Sequence, residues 1–234
     1  MYNFNVKYDF DFITPQSPHW PEDVQDLQKL WFCGDISLLD EPGLSIVGTR
    51  HPSSRGMQLT RDAVDAIGDE FVIVSGLALG IDGTAHIQAL ARNFRTVAVL
   101  GTPIDAVYPK EHEMLQEMVA KCGLLVSQFE PGTKVQKYFF MQRNLTMSRI
   151  SKASLVVESG DGGGGVSQAR YSEAGGKPVL IFRETYENRT YLWPRSFSSP
   201  VIVDKPKDIT RHLKARLRLN NQPLQPELFF VDNH

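Results

Sequence analysis

Five arginines stand where a chain could grip phosphate. Arg50, Arg55, Arg95, Arg143 and Arg149 all lie near expected loops or helix starts. A guanidinium binds a phosphate through two parallel hydrogen bonds and also stacks on a base. Any one of them alone reads as a solvated surface charge, whereas several converging on one rim make a nucleic-acid track. Two glycine-rich stretches offer the neutral half of the same chemistry. In residues 74–86, VSGLALGIDGTAH, a short apolar run ends at Ser75 and Gly76, and Gly80 precedes a helix that restarts at about Ile81. Residues 162–165 are four consecutive glycines ahead of Val166-Ser167-Gln168. Glycine lets the backbone approach a bound group and adopt angles that a Cβ forbids. The bare amides of a following helix, with its dipole, favour an anion. The plainer alternatives are an ordinary strand-to-helix turn for the first stretch and a flexible loop for the second.

Catalytic arrangements are missing. Asp82 suits a helix cap, and His86, one turn further on, has no second ligand and suits packing or capping. No Ser/His/Asp set, HExxH pattern or paired-carboxylate spacing is discernible. The chain reads GTRHPSSRG after its first apolar run, so GxGxxG is lacking, and no GxxxxGK[ST] occurs; NAD and NTPase readings fall. Cys33 and Cys122 are isolated and read as reduced thiols, with no metal spacing.

These residues need elements to position them, and hydropathy supplies a rhythm. Apolar runs fall at 44–47, 71–74, 96–100, 124–126, 155–157 and 179–182. A seventh at 200–203 begins with proline and suits a sheet edge. Between them lie helical patterns at 56–68 and 110–122. Alternating buried strands and crossover helices predict an α/β fold, a mostly parallel sheet with helices on both faces. In such sheets the ligand sits beyond the carboxyl ends of the strands. Five successive runs are followed by glycine or polar loops: Gly48-Thr49-Arg50, Ser75-Gly76, Gly101-Thr102-Pro103, residues 128–132 and residues 158–165.

Length and charge bound the rest. The 234 residues suit one full α/β domain, at 41% hydrophobic and 22% charged. Neither a membrane-length apolar run nor the basic-then-apolar pattern of a signal peptide occurs, which predicts a soluble cytoplasmic protein. The net charge of −2 hides an asymmetry: residues 1–43 carry two basic against eight acidic residues, and the remainder 23 against 19. A mildly basic body permits a polyanion partner. Residues 1–43 read as an irregular, aromatic- and proline-rich approach segment with a short helix at 22–30, bounded by Pro42-Gly43. The main domain then runs over 44–204 and a basic helix with a tail over 205–234.

At this point the chain resembles the DprA/Smf family of DNA-processing proteins. SIVGTR (45–50), VSGLALGIDGTAH (74–86), RTVAVLGTPIDAVYPKEH (95–112), SQFEPGT (127–133), QRN (142–144) and LVVES (155–159) follow in the family's order, over about residues 30–182. The resemblance implies an extended Rossmann-like domain that binds single-stranded DNA without sequence preference. It further implies a homodimer that loads a RecA-type recombinase and protects strands in natural transformation or DNA uptake, without catalysis or cofactor. On that reading Gly48, Arg50, Ser75, Gly76, Gly80, Arg95, Arg143, Asn144, Gly163, Gly164 and Gly165 hold DNA or phosphate. Departures accompany the match. Leu145 replaces the second arginine of the family's RNR element, Arg149 stands where a small glycine is usual, and Gly163-Gly164-Gly165 replaces an SGS loop. The family's SAM-like and winged-helix domains are expected to be absent, leaving a minimal member.

The alternative is a LOG-like nucleotide-binding protein or phosphoribohydrolase, suggested loosely by the glycine run at 162–165 and by Glu173; the PGGxGT of those enzymes is not reproduced. The tail carries a separate signal. After six basic residues in 205–218, residues 225–230 read QPELFF. Gln225, Leu228 and Phe229 resemble the peptide by which bacterial repair proteins dock on the sliding clamp. The apolar end either fills such a partner's groove or packs back on the body.

Overall fold

The computed structural model describes residue 6 and residues 8–220. Nine strands form one sheet: β1 (Asp11–Ile13), β2 (Leu30–Gly34), β3 (Gly43–Val47), β4 (Val72–Ser75), β5 (Thr96–Val99), β6 (Leu124–Ser127), β7 (Ser151–Val156), β8 (Val179–Phe182) and β9 (Val201–Val203). Their spatial order is β1-β2-β6-β5-β4-β3-β7-β8-β9, parallel from β6 to β9 and antiparallel where β2 joins β6 and β1 joins β2. All seven expected strands form, and the proline-led run is the edge strand β9. The helices are α1 (Ser54–Ile67), α2 (Ile81–Ala91), α3 (Glu113–Cys122), α4 (Phe139–Ile150), α5 (Gly164–Ala174), α6 (Arg183–Glu187) and α7 (Ile209–Asn220). The basic helix expected after Pro206 is α7.

Alternation along the strands packs the two faces of the sheet. Leu44 and Ile46 of β3, with Ile73 of β4 and Leu155 of β7, face α1 and α2 through Leu59, Ala63, Ile81 and Ala85. Val47, Val72, Val74 and Val156 point the other way, against Met147 of α4 and Val166 and Ala169 of α5. Most of these are fully buried, each worth at most about 1.5–3 kcal/mol of apolar burial.

The approach segment does not stand apart. Leu30, expected to end a short helix, instead opens β2, paired Trp31 to Ser127 through Gly34 to Leu124. No helix forms at 22–30, because tertiary contacts override local propensity. Val24 and Leu30 are completely buried in the core of the α4–α5 face, while Asp23 bridges to Lys177 at 2.8 Å and Asp26 pairs with Arg149.

After β3 the chain builds β4, β5 and β6 outward on one side, then returns through α4 to lay β7 on the other side of β3. The crevice between the β3 and β7 carboxyl ends is therefore the topological switch point, where sheets of this kind bind ligands.

Candidate nucleic-acid interface

A cavity of about 330 Å³ opens at that switch point, walled by Gly48, Arg50, Phe140, Asn144, Ser159 and Gly163–Gly165 among others. The loop after β3 forms one wall and is threaded tightly. The Thr49 amide donates to the Glu158 carbonyl (2.7 Å), and the Thr49 carbonyl accepts from the Ile81 amide (3.2 Å). Gly80 permits that threading: its φ is +80°, and a Cβ there would collide with the backbone of Thr49 and Arg50. Arg50 stays exposed at the mouth, its guanidinium 5.9 Å from the centroid of the Phe140 ring.

Of the helices that begin at this rim, α1 and α2 have their starts already occupied. On α1, Ser53 accepts the Gly56 amide (3.0 Å) while the Glu158 carboxylate accepts the Ser53 amide (3.2 Å) and hydroxyl (2.8 Å). On α2, the Ile81 amide goes to Thr49 and the Gly83 amide to Ala78 (3.0 Å), so the anion site expected in residues 74–86 is filled by the chain itself. Only α5 presents glycine without a side-chain cap to the cavity: it starts from Gly163, whose own amide donates to the Gly160 carbonyl (3.1 Å), and Gly163, Gly164 and Gly165 line the space.

Arg143 is where sequence and structure part. It is 5% exposed, and its guanidinium donates to the carbonyls of Gly76 and Val99 (2.8 Å) and to Asn144 Oδ1 (3.0 Å). Burial pushes its pKa down and the Asp82 carboxylate opposes that shift. Asp82 is equally buried; burial pushes its pKa up, countered by Arg143 and by the amides of Ala78 and Gly76. Gly76 must be glycine because Arg143 lies where its Cβ would be. Arg143, Asp82 and Gly76 are thus a buried buttress at the back of the cavity, a different job from the backbone-gripping arginine expected. Asn144 links the buttress to the wall by donating to the Gly164 carbonyl (3.2 Å). Ser75 is wholly buried, its hydroxyl on the Ile46 carbonyl (2.6 Å), and does not reach the cavity.

Arg95 departs further. It precedes β5 and so sits at the amino rim, at the far end of the sheet, paired with Glu41 and donating to the Asp69 carbonyl. Arg55 is paired with Glu184 at 2.9 Å and Arg149 with Asp26, so these two do not join the track either. Of the five arginines, Arg50 alone is brought to the mouth with its charge exposed. Glu173, the residue behind the LOG-like alternative, accepts from the amide (2.7 Å) and hydroxyl (2.8 Å) of Ser198 and does not line the cavity. His86 is fully buried on Thr96 Oγ1 (2.8 Å), its pKa pushed down to about 3 by burial, as a packing histidine.

Phe140 escaped the sequence reading, although the aromatic run YFF ahead of QRN was a signal for it. Tyr108 lies 5.3 Å from its ring, and Tyr138, half exposed, abuts Phe139, which stacks on Phe129 at 3.9 Å. Lys134 and Lys137 are exposed on the same approach to α4. Gln225, Leu228 and Phe229 of the tail lie outside the described residues. Among the described residues there is no group of His, Cys, Asp and Glu that could hold a metal, and no helix long and apolar enough to cross a membrane.

The family model of DNA recombination-mediator protein A matches residues 11–193. The chain belongs to that family. Among curated relatives, Protein Smf of Synechocystis sp. is 36% identical over 178 residues, which is 72% of this chain and 45% of that one. The chain spans about half the length of the curated relatives it matches. The X-ray structure of DNA processing protein A (DprA) from Streptococcus pneumoniae superposes with a TM-score of 0.81 at 26% identity, covering 88% of this chain and 75% of that chain. A structure of the Helicobacter pylori protein, described for its single-stranded DNA binding mode, reaches 0.78 at 24% identity over 89% and 97% of the two chains and supports the same fold. The extended Rossmann-like expectation is thereby met, and the LOG-like alternative is not favoured.

Proposed function

We propose that this chain binds single-stranded DNA at the β3–β7 cavity and acts as a non-catalytic recombination mediator. The observation that carries the reading is the pairing of one exposed cation with bare amides across one cavity: Arg50 and the aromatic Phe140 on one wall, the uncapped glycine start of α5 on the other. Phosphates suit Arg50 and the glycine amides, and bases suit Phe140. The H. pylori relative, named for binding single-stranded DNA, supports the assignment.

On this reading the DNA or phosphate contacts are Gly48, Arg50, Asn144, Gly163, Gly164 and Gly165, with Ser75, Gly76, Gly80 and Arg143 shaping the cavity from behind. A homodimer, a RecA-type recombinase as the recipient of the DNA, and a sliding clamp engaged through Gln225, Leu228 and Phe229 complete the proposal, in the cytoplasm and in the setting of DNA uptake. The test is fluorescence anisotropy with a labelled dT oligonucleotide at two salt concentrations. Binding that weakens with salt and with Arg50→Ala is expected; no binding at low salt overturns the reading.

A further inference from the structure

The glycine loop that walls the cavity has one small turn of its own to hold it: the Gly163 amide (3.1 Å) and the Ser159 hydroxyl (3.2 Å) both donate to the Gly160 carbonyl. A Cβ at Gly160 or Gly162 would meet no atom within 4 Å, and Gly162 has a φ of +76°. Glycine loses more freedom on ordering than any other residue, so such a loop left alone samples many shapes. It is nevertheless tied down from outside the cavity. The Asp161 carboxylate accepts from the backbone amides of Leu192 (3.0 Å) and Trp193 (2.9 Å). The indole N–H of Trp193 donates to the Ser159 carbonyl (2.8 Å), at the point where the loop leaves β7. Trp193 itself is 3% exposed, set edge-on to Phe197 within the core. Neither Asp161 nor Trp193 lines the cavity.

We propose that Asp161 and Trp193 are positioning residues for DNA binding, fixing the glycine loop in the shape that presents its amides to phosphate. This inference rests on the DNA reading given above. Asp161 is an exposed carboxylate on an anion-binding loop, where its charge opposes the ligand; as an acceptor for two amides it holds the loop that the ligand needs. The two effects separate by substitution. D161N removes the charge and keeps a carbonyl acceptor, whereas D161A removes both.

The experiment is oligonucleotide anisotropy at two salt concentrations for the intact chain, D161A, D161N and W193F, with a thermal melt of each. D161A is expected to weaken binding roughly tenfold, the cost of re-ordering about one residue of free backbone, with D161N remaining near wild type. Because no phosphate-bound cation is lost, the salt slope of D161A stays that of wild type, whereas Arg50→Ala lowers it by about one. W193F, which keeps an aromatic ring but loses the indole donor and part of the buried ring volume, weakens binding in the same way, with its thermal melt separating the lost donor from lost packing, and stands in should D161A not fold. D161A equal to wild type, D161A and D161N both tighter than wild type, or a reduced salt slope in D161A each overturn the inference alone. Failure of the wild-type chain to bind overturns the DNA reading and this inference with it.

Discussion

Gly165 at the start of α5 rests directly on Gly48 in the loop after β3: a Cβ on Gly165 would lie 3.0 Å from the Gly48 nitrogen and 3.1 Å from its Cα. The two neighbouring strands of the switch point thus bring their loops together backbone to backbone, and the cavity opens beside that contact. Gly165→Ala is expected to cost about 1–3 kcal/mol, since the rigid backbone of Gly48 cannot yield as a side chain would. Gly164→Ala, whose Cβ would find only Asn144 Nδ2 at 3.9 Å, is expected to leave stability within about 0.5 kcal/mol of wild type. Urea denaturation of the two variants checks the contrast.

Arg50 and Arg95 set the proposed DNA contact against a distant charge. Arg50→Ala should weaken oligonucleotide binding and reduce its salt slope by about one. Arg95→Ala, at the amino rim and paired with Glu41, should leave both affinity and slope close to wild type. Equal losses in anisotropy titrations of the two variants would count against the cavity as the binding surface.

Arg143 belongs to stability before it belongs to binding. Removing it strips buried Asp82 of its strongest countercharge and two carbonyls of a donor, so Arg143→Ala should destabilise the fold by about 3–5 kcal/mol. Arg143→Lys should rescue little, because a single ammonium cannot span Gly76, Val99 and Asn144 together. Chemical denaturation without any DNA present reads this directly.

His86 gives the fold a proton-linked weakness in acid. Buried and neutral, it titrates at about 3 in the folded chain against 6.5 when unfolded. The unfolded chain therefore takes up a proton that the folded one refuses, and stability is full above pH 6.5 and lost as pH falls toward 3. The loss from this group is about 1.4 kcal/mol per pH unit, or about 2 kcal/mol by pH 5. Denaturation midpoints between pH 7 and 5 should fall accordingly, and His86→Gln should flatten that part of the profile.

The parallel sheet was legible because each of its strands carries a local signature: a short apolar run, then glycine or polar residues, then a helical pattern. β2 was not, because residues 30–34 become a strand by pairing with residues 11–13 and 124–127, partners that no short window around Leu30 contains. The acidic residues near 22–30 look like a helix start in isolation, yet Asp23 and Asp26 are committed to Lys177 and Arg149. At the candidate site, Gly48, Gly76, Gly80 and Gly165 stand where a Cβ would strike neighbouring atoms, whereas Gly164 has room for one. The arginines were not legible, since type and loop position say nothing about burial; Arg143 and Arg50 look alike until Asp82 is placed beneath one of them. Arg95 was partly legible after all: it precedes a strand, and that alone assigns it to the opposite rim from residues that follow one.

The pairing of β2 with β6 and of β3 with β7 also bears on how the chain is made. On a ribosome, Gly43–Val47 emerges well before Ser151–Val156, its neighbour on one side, and Leu30–Gly34 well before Leu124–Ser127. At about 5–20 residues per second, these strands remain without those partners for several seconds to tens of seconds. During synthesis the nascent chain thus holds apolar strands with an open edge, and its demand for chaperone cover is greatest before α4 and β7 have emerged.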